Sequence, residues 1–350
     1  MIGVVMAGGE GTRLRPLTAL RPKPFVPILG RPCIDYAIDL LSPIGVRDVL
    51  VTTYYRPSLL IEHLGGGSSH DVGVFYSIED EALGTAGGVA KARGLINERV
   101  VVVSGDLFVD ADLRDLVAFH ERSGAAVTMA LTEVPNPVEY GIVGLDDDGR
   151  IVRFKEKPRE EEVFSNLINA GIYVIEPEVL ERVPEGRKFD FSRDLFPMLR
   201  EEGSLFGHPL EGIWIDIGRP ADLLRANREV ARKRLRDVDG DLGRSGLVHP
   251  DARIEGTVEG ASYVASRVVV ERNAVVRDSF ILEEVTLSQF SEVENSLVLE
   301  GSRIGEKSVL QDTIVGAGCE IRSRSKLDEC VLGDCVIIPQ GSWLVRQKLE

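Results

Sequence analysis

The sequence predicts a mainly parallel, Rossmann-like α/β sheet followed by a left-handed parallel β-helix of hexapeptide repeats. Three observations carry this. Short apolar runs alternate with helical stretches as far as about residue 220, the order a mainly parallel sheet requires. The first run, Ile2-Gly3-Val4-Val5-Met6, enters a glycine-rich turn, as a buried parallel strand does on reaching a ligand crevice. Beyond about residue 250, aliphatic residues recur every six positions.

In chain order, Pro32–Ser42 has helical spacing, Asp48–Thr52 reads as a strand and Pro57–Leu64 as a second helix. Val100–Val103 is wholly apolar and runs straight into Ser104-Gly105-Asp106. Asp112–Ser123 is amphipathic at helical spacing, and Ala126–Thr132 returns as a strand. Asp146-Asp147-Asp148-Gly149 turns a hairpin between Ile142–Gly144 and Ile151–Phe154. Asn169–Ile175 is a further strand and Phe191–Glu202 a helix. The charged stretch Asp222–Arg236 has helical spacing and predicts a connector rather than a core element. The α/β domain is therefore expected over 1–221, the helical connector over 222–246 and the β-helix over 247–350.

The repeat runs through Val258, Val264, Val270, Val276 and Leu282, slips by one, and continues as Leu287, Val293 and Leu299, then Ile304 and Leu310. After another slip come Val315, Ile321 and Leu327, then Leu332 and Ile338. Neither a helix nor a plain strand has a period of six. A parallel β-helix does, because each turn sets one aliphatic side chain on its axis.

At 350 residues, with 43% apolar and 28% charged residues, the composition is that of a globular protein. A net charge of −15 argues against a nucleic-acid surface, so any phosphate must be met by local positive charge. No apolar run approaches the roughly eighteen residues of a membrane span, and no basic leader with a cleavage site opens the chain. A cytoplasmic protein without a membrane partner is expected. Cys33, Cys319, Cys330 and Cys335 have neither metal-site nor disulfide spacing and are expected to be reduced packing residues.

Ala7-Gly8-Gly9-Glu10-Gly11-Thr12-Arg13-Leu14 carries the first chemistry. A turn rich in glycine lets consecutive N–H groups close on an anion, and Arg13 and Lys23 add fixed positive charge on either side. The spacing excludes the dinucleotide fingerprint and the P-loop, since no third glycine and no Gly-Lys-Ser/Thr follow. Asp106 and Asp216 each follow a strand, where open α/β sheets place ligands. One carboxylate from each of two distant strands can hold Mg²⁺, although a single such aspartate is more often a cap or turn residue.

Met6–Thr18, with Arg21-Pro22-Lys23-Pro24 behind it, resembles the signature of the sugar-1-phosphate nucleotidyltransferases. Ser104-Gly105-Asp106 and Trp214–Gly218 are similar to the family's metal motifs, which implies Asp106 and Asp216 as Mg²⁺ ligands. The resemblance implies nucleotide contacts at Ala7, Gly8, Gly9, Gly11, Thr12 and Arg13, with Arg13 and Lys23 as catalytic cations. Glu79–Gly88 is a second glycine-rich loop; its Leu83–Gly88 segment resembles the one that lies on base and ribose, implying Gly84, Thr85 and Gly88. In Phe154-Lys155-Glu156-Lys157-Pro158 the family pattern implies that Glu156 binds sugar hydroxyls and Lys157 the sugar phosphate. Tyr140, Gly141 and Asn169 are implied at the sugar pocket. Thr53 departs from the pattern, since many relatives carry Asn near this point.

The implied reaction joins a nucleoside triphosphate and a sugar-1-phosphate, with loss of pyrophosphate. Lys23–Ile28, Leu83–Gly88 and Phe189–Pro197 look most like the branch that makes GDP-mannose from GTP and mannose-1-phosphate. Glucose-1-phosphate with dTTP or UTP is the alternative, and a non-catalytic regulatory paralogue a second. An additional acyltransferase activity in the coils would need a histidine there, and only His249 is at hand, ahead of the regular coils. Homo-oligomers are expected through the flat flanks of the β-helix. All the implied catalytic residues precede Pro220, so a chain ending near Gly240 is expected to keep the chemical site.

Overall fold

In the computed structural model, which describes residues 1–239 and 246–350, apolar runs become strands where neighbours can cover both their faces. Eleven strands make up the α/β part: β1 Ile2–Met6, β2 Asp48–Thr53, β3 Gly73–Ile78, β4 Val100–Ser104, β5 Leu107–Ala111, β6 Val127–Glu133, β7 Gly141–Leu145, β8 Ile151–Glu156, β9 Leu167–Ile175, β10 Leu205–Pro209 and β11 Gly212–Asp216. Nine of them form one sheet in which β8-β7-β9-β4-β1-β2-β3 lie in that order, with β6 paired to β9 and β10. The pairs β4-β1, β1-β2 and β2-β3 are parallel, whereas β9 runs antiparallel to β4. The sheet is thus mixed, parallel where the glycine-rich turn leaves it. β1 and β4 stand at its centre, and Val4, Val5 and Val100–Val103 are completely buried.

The helices are α1 Cys33–Asp39, α2 Pro57–Leu64, α3 Gly84–Ala90, α4 Arg114–Ser123, α5 Phe196–Glu201 and α6 Pro220–Asp239. A π-turn, Phe191–Leu195, leads into α5. Helix α3 corrects one expectation: Gly84–Gly88 is the first part of a helix, not a loop. Glycine disfavours helix interiors, yet Phe189 O accepts the N–H groups of Ala86 and Gly87 at 3.0 and 2.9 Å and secures the first turn. Burial of Ala86, Val89 and Ala90 in the core does the rest.

The β-helix consists of three parallel sheets, one of seven strands and two of six. Successive strands register seventeen residues apart, Tyr263 on Phe280, Phe280 on Leu297 and Leu297 on Ile314. Each coil is two hexads and a pentad, which is why the sequence repeat slips. The pentad also moves two anchors: Ile281 and Val298, not Leu282 and Leu299, join the axial core. Neighbouring side chains in a strand face opposite ways, so Leu282 and Leu299 are buried elsewhere. Behind the strands a ladder repeats at the same interval. Ser279 N–H donates to Ser262 Oγ at 3.2 Å, Ser296 N–H to Ser279 Oγ at 3.0 Å, and Thr313 N–H to Ser296 Oγ at 3.0 Å. Cys319 and Cys330 pack as expected, but Cys335 is exposed, because it sits at a turn with a φ of 62°.

By its contacts the chain divides into two compact units, Met1–Gly9 with Cys33–Asp216, and Glu10–Pro32 with Ile217–Glu350. The glycine-rich turn therefore parts at Gly9. Within the second unit, α6 does more than connect. Leu223, Ala226, Val230 and Ala231 are buried along it. Its buried Asn227 accepts the Leu29 N–H at 2.8 Å and donates to Pro27 O at 3.3 Å.

Val270 and Ile321 are axial and all but inaccessible. Val270→Asp or Ile321→Asp would bury a charge with no partner, at a cost of several kcal/mol. Each should drop the melting temperature by about 10 °C or more or leave the protein insoluble, whereas Arg272→Asp, on an exposed turn, should melt near the parent. Calorimetry of the three variants makes the comparison.

Candidate active site

In the first unit, two turns leave the centre of the sheet side by side. Met6 registers with Ser104, and the Gly105 N–H donates to Met6 O at 2.9 Å, while Ala7 N–H donates to Thr52 O at 2.8 Å. Ala7-Gly8-Gly9 and Ser104-Gly105-Asp106 thus emerge at the carboxyl ends of adjacent parallel strands, where open sheets bind ligands. Thr53 ends the next strand, fully buried, with a hydroxyl that has no hydrogen-bond partner.

The two aspartates are brought together by a strand pairing that the sequence does not announce. β5 begins at Leu107 and runs antiparallel to β11, with Asp216 registered opposite Leu107, the residue after Asp106. Both carboxylates are half-buried. Ser104 Oγ donates to Asp106 Oδ1 at 2.6 Å, which fixes that carboxylate. Among the described residues no group of three or more His, Cys, Asp or Glu side chains could hold a metal ion. A divalent ion here would rest on these two carboxylates and on oxygens from water or ligand, a hard donor set that fits Mg²⁺.

The implied sugar-pocket residues surround the same corner. In β9 the register to β6 breaks between Asn169 and Tyr173. That bulge lets Asn169 Oδ1 accept the Gly171 N–H at 2.9 Å while its amide donates to Tyr173 Oη and Ser192 Oγ at 3.0 and 3.3 Å. Trp214, two residues before Asp216, donates its indole N–H to Ala170 O at 2.8 Å and meets Tyr140 edge to face at 5.6 Å. Lys157 has a φ of 45°, and its N–H donates to Tyr140 O at 2.9 Å, so β8 is turned sharply just where its charge ends. Burial pushes the Glu156 carboxyl above its ordinary pKa, against the pull of the Lys157 and Arg193 charges.

Helix α3 is locked from both sides. Thr85 Oγ1 donates to Asp190 Oδ1 at 3.2 Å and accepts the Phe191 N–H at 2.9 Å. A Cβ on Gly88 would come within 2.6 Å of Glu79 Oε1, so a larger residue there would displace the Glu79 carboxylate. Glu79 itself is 8% exposed and accepts the Leu83 N–H at 2.8 Å. Its Oε1 lies 3.9 Å from where a Gly8 Cβ would stand. This carboxylate backs both glycine segments, and nothing in its spacing singles it out.

Gly11, Thr12, Arg13 and Lys23 belong to the second unit. Gly11 has a φ of 65°, and a Cβ there would meet Lys23 Cβ at 2.8 Å. Thr18 Oγ1 donates to Gly11 O at 2.8 Å, which closes the loop on itself. Lys23 is 6% exposed, whereas Thr12 and Arg13 stand in an exposed turn of 3₁₀ helix. His249 Nδ1 accepts the Asp251 N–H at 3.1 Å ahead of the coils.

Residues 2–233 match the model of a family described as nucleotidyl transferase. The chain belongs to that family. Residues 258–349 match a second model, the GMPPB C-terminal domain. Among curated nucleotidyl transferases, the mannose-1-phosphate guanylyltransferase of Mycobacterium tuberculosis is 37% identical over 65% of this chain and 64% of its own length. The mannose-1-phosphate guanylyltransferase catalytic subunit beta of Danio rerio is 38% identical over 73% of each chain. The UTP--glucose-1-phosphate uridylyltransferase of Synechocystis is 34% identical over 68% of this chain and 65% of its own. The chain thus spans a little under two thirds of the first two bacterial relatives. A Bacillus anthracis crystal structure assigned as a glucose-1-phosphate thymidylyltransferase superposes with a TM-score of 0.60 at 27% identity, covering 65% of this chain and 94% of that one.

Burial raises the Glu79 carboxyl above its ordinary pKa, opposed by the Leu83 N–H and the Lys91 charge. The folded chain therefore takes up a proton at a pH where the unfolded chain has not. Stability falls as pH rises from the unfolded value, about 4.3, through the raised one. Glu79→Gln should remove that part of the slope. Urea midpoints of both proteins between about pH 4 and 7 test it, and parallel profiles would refute the assignment.

Proposed function

We propose that the protein transfers a nucleotidyl group from a nucleoside triphosphate to a sugar-1-phosphate, releasing pyrophosphate, and that its substrates are GTP and mannose-1-phosphate. The register that sets Asp216 opposite Leu107, beside Asp106, carries the proposal. Strands far apart in the chain converge to place two carboxylates at the mouth of a glycine-rich turn, an arrangement suited to handling phosphate. The names of several relatives favour GTP with mannose-1-phosphate. The uridylyltransferase and thymidylyltransferase matches support the alternative with glucose-1-phosphate. Retention of Arg13, Lys23, Asp106, Lys157 and Asp216 weighs against a non-catalytic paralogue.

A phosphate monoester has its second pKa near ~6, so at neutral pH the sugar phosphate already carries an anionic oxygen and needs no general base. That oxygen bonds to the α-phosphorus as the bond from α-phosphorus to the bridging oxygen breaks. The electron pair leaves with pyrophosphate. What opposes the step is repulsion between two polyanions and the entropy of aligning them. Arg13 and Lys23 meet the triphosphate, Lys157 holds the sugar phosphate, and Glu156 accepts from sugar hydroxyls. Asp106 and Asp216 hold Mg²⁺, which when bound neutralises phosphate charge.

A turnover assay crossing GTP, UTP and dTTP with mannose- and glucose-1-phosphate tests the substrate pair; a clear preference for glucose-1-phosphate would transfer the assignment to the alternative. Asp106→Asn and Asp216→Asn should each lower kcat by about 100-fold or more in folded protein. Near-normal turnover of either at saturating Mg²⁺ would remove that residue from the metal site. Arg13→Ala should act on turnover and Lys157→Ala chiefly on KM for the sugar phosphate. Equal effects of both on the two substrates would mean that the subsites are wrongly assigned.

A further inference from the structure

The segment Glu10–Pro32 carries both proposed catalytic cations, and it is held by the far end of the chain. Arg21 Nη2 donates to both carboxylate oxygens of Asp334 at 2.8 Å, across 313 residues of sequence. The partners are only 16% and 11% exposed, so solvent screens the pair weakly. Asp334 Oδ1 also accepts the Ala317 N–H of the preceding coil at 2.8 Å, which fixes the carboxylate from behind. Glu300, one turn position further back, lies 3.8 Å from the same guanidinium nitrogen. Two more points grip the loop. A Cβ on Gly333 would come 3.2 Å from Pro16 Cβ, and Lys348 Nζ donates to Arg13 O at 3.5 Å.

Arg21 lies two residues before Lys23, whose stem in turn packs on Gly11. We propose that Asp334 is a positioning residue for nucleotidyl transfer, holding the Glu10–Pro32 loop in its working shape through Arg21. This rests on the function proposed above. It also bears on a chain ending near Gly240. Such a chain keeps every residue of the chemical site, but it loses Gly333, Asp334 and Lys348, and with them the hold on the loop.

The test uses the full-length chain with Asp334→Asn, Arg21→Met and the double variant. Asparagine keeps an acceptor for the Ala317 N–H, and methionine keeps an unbranched apolar stem, so the coils should stay intact. Misplacing a reacting group by about 1 Å can cost on the order of 100-fold. Each single variant should therefore lose about 10- to 50-fold in kcat/KM for the triphosphate, with KM for the sugar phosphate within about twofold of the parent. The double variant should be no worse than either single one, because both remove the same interaction. Hydrogen exchange should quicken over residues 10–32 in all three variants and stay unchanged over the coils. Parent-like kinetics in Asp334→Asn, additive losses, an equal loss for both substrates, or unchanged exchange over 10–32 would each overturn the proposal. If the unmodified chain turns over no substrate pair, the proposed function falls instead, and the exchange comparison still decides whether Asp334 holds the loop.

Discussion

A β-helix with one apolar outer face cannot stand bare in water, and in this chain that face is fully covered. Phe280, Leu297 and Ile314 precede the axial Ile281, Val298 and Val315, so they point away from the axis, yet all three are fully buried. Burying each contributes about 1.5–3 kcal/mol. The corresponding outward positions on the other two sheets include Arg303, Glu320, Glu292 and Lys326, all exposed. Helix α6 reaches the coils where Arg228 donates to Asn295. The Glu10–Pro32 segment arrives at Gly30, where a Cβ would lie 3.6 Å from Tyr263 Oη and 3.9 Å from Leu282 Cδ2. The loop that carries Lys23 thereby belongs with the coils rather than with the strand that launches it. Three times the chain passes between units, at Gly9, Pro32 and Asp216.

The charge distribution follows from the same arrangement. A chain of net charge −15 must concentrate its cations if, as proposed, it is to bind polyanions. Guanidinium groups in the early loop would repel one another if left alone. An acidic column on the coils, with Glu300 and Asp334 on the Arg21 side, offsets one of them. Partly buried pairs of this kind add little net stability, because desolvation cancels much of the attraction. Their value is in fixing one geometry, since two oxygens converge on one guanidinium nitrogen.

What was legible in the sequence depended on how far apart the interacting residues stand. The coils were legible because every strand carries one axial aliphatic, and a local repeat needs no knowledge of distant partners. Where two aliphatics adjoin, as at Ile281 and Leu282, the pattern could not say which faces inward. Strands β1 and β4 were legible from unbroken apolar runs, and the hairpin β7-β8 from its Asp-rich turn. Helix α3 was not, because its glycines are set by Glu79 and Phe189, residues that no local rule connects to them. Asp106 and Asp216 were visible only as motif residues; the pairing of β5 with β11 that joins them depends on register. Arg21 with Asp334, like Glu79 beneath the two glycine segments, is a tertiary fact with no local signature.

A stack of identical steps is also a ruler. Each coil advances the chain by one inter-strand spacing, about 4.8 Å, and the hold of α6 at Asn295 and of the loop at Asp334 are graduations on it. Excising seventeen residues would keep every hexad and every ladder hydrogen bond in phase, so the shortened stack would still fold. The graduation at which Arg21 is gripped would nonetheless shift by one division relative to α6. The number of coils between the two holds is therefore a gauge length: it can change only in whole divisions, and any change must be matched in the segment Glu10–Pro32.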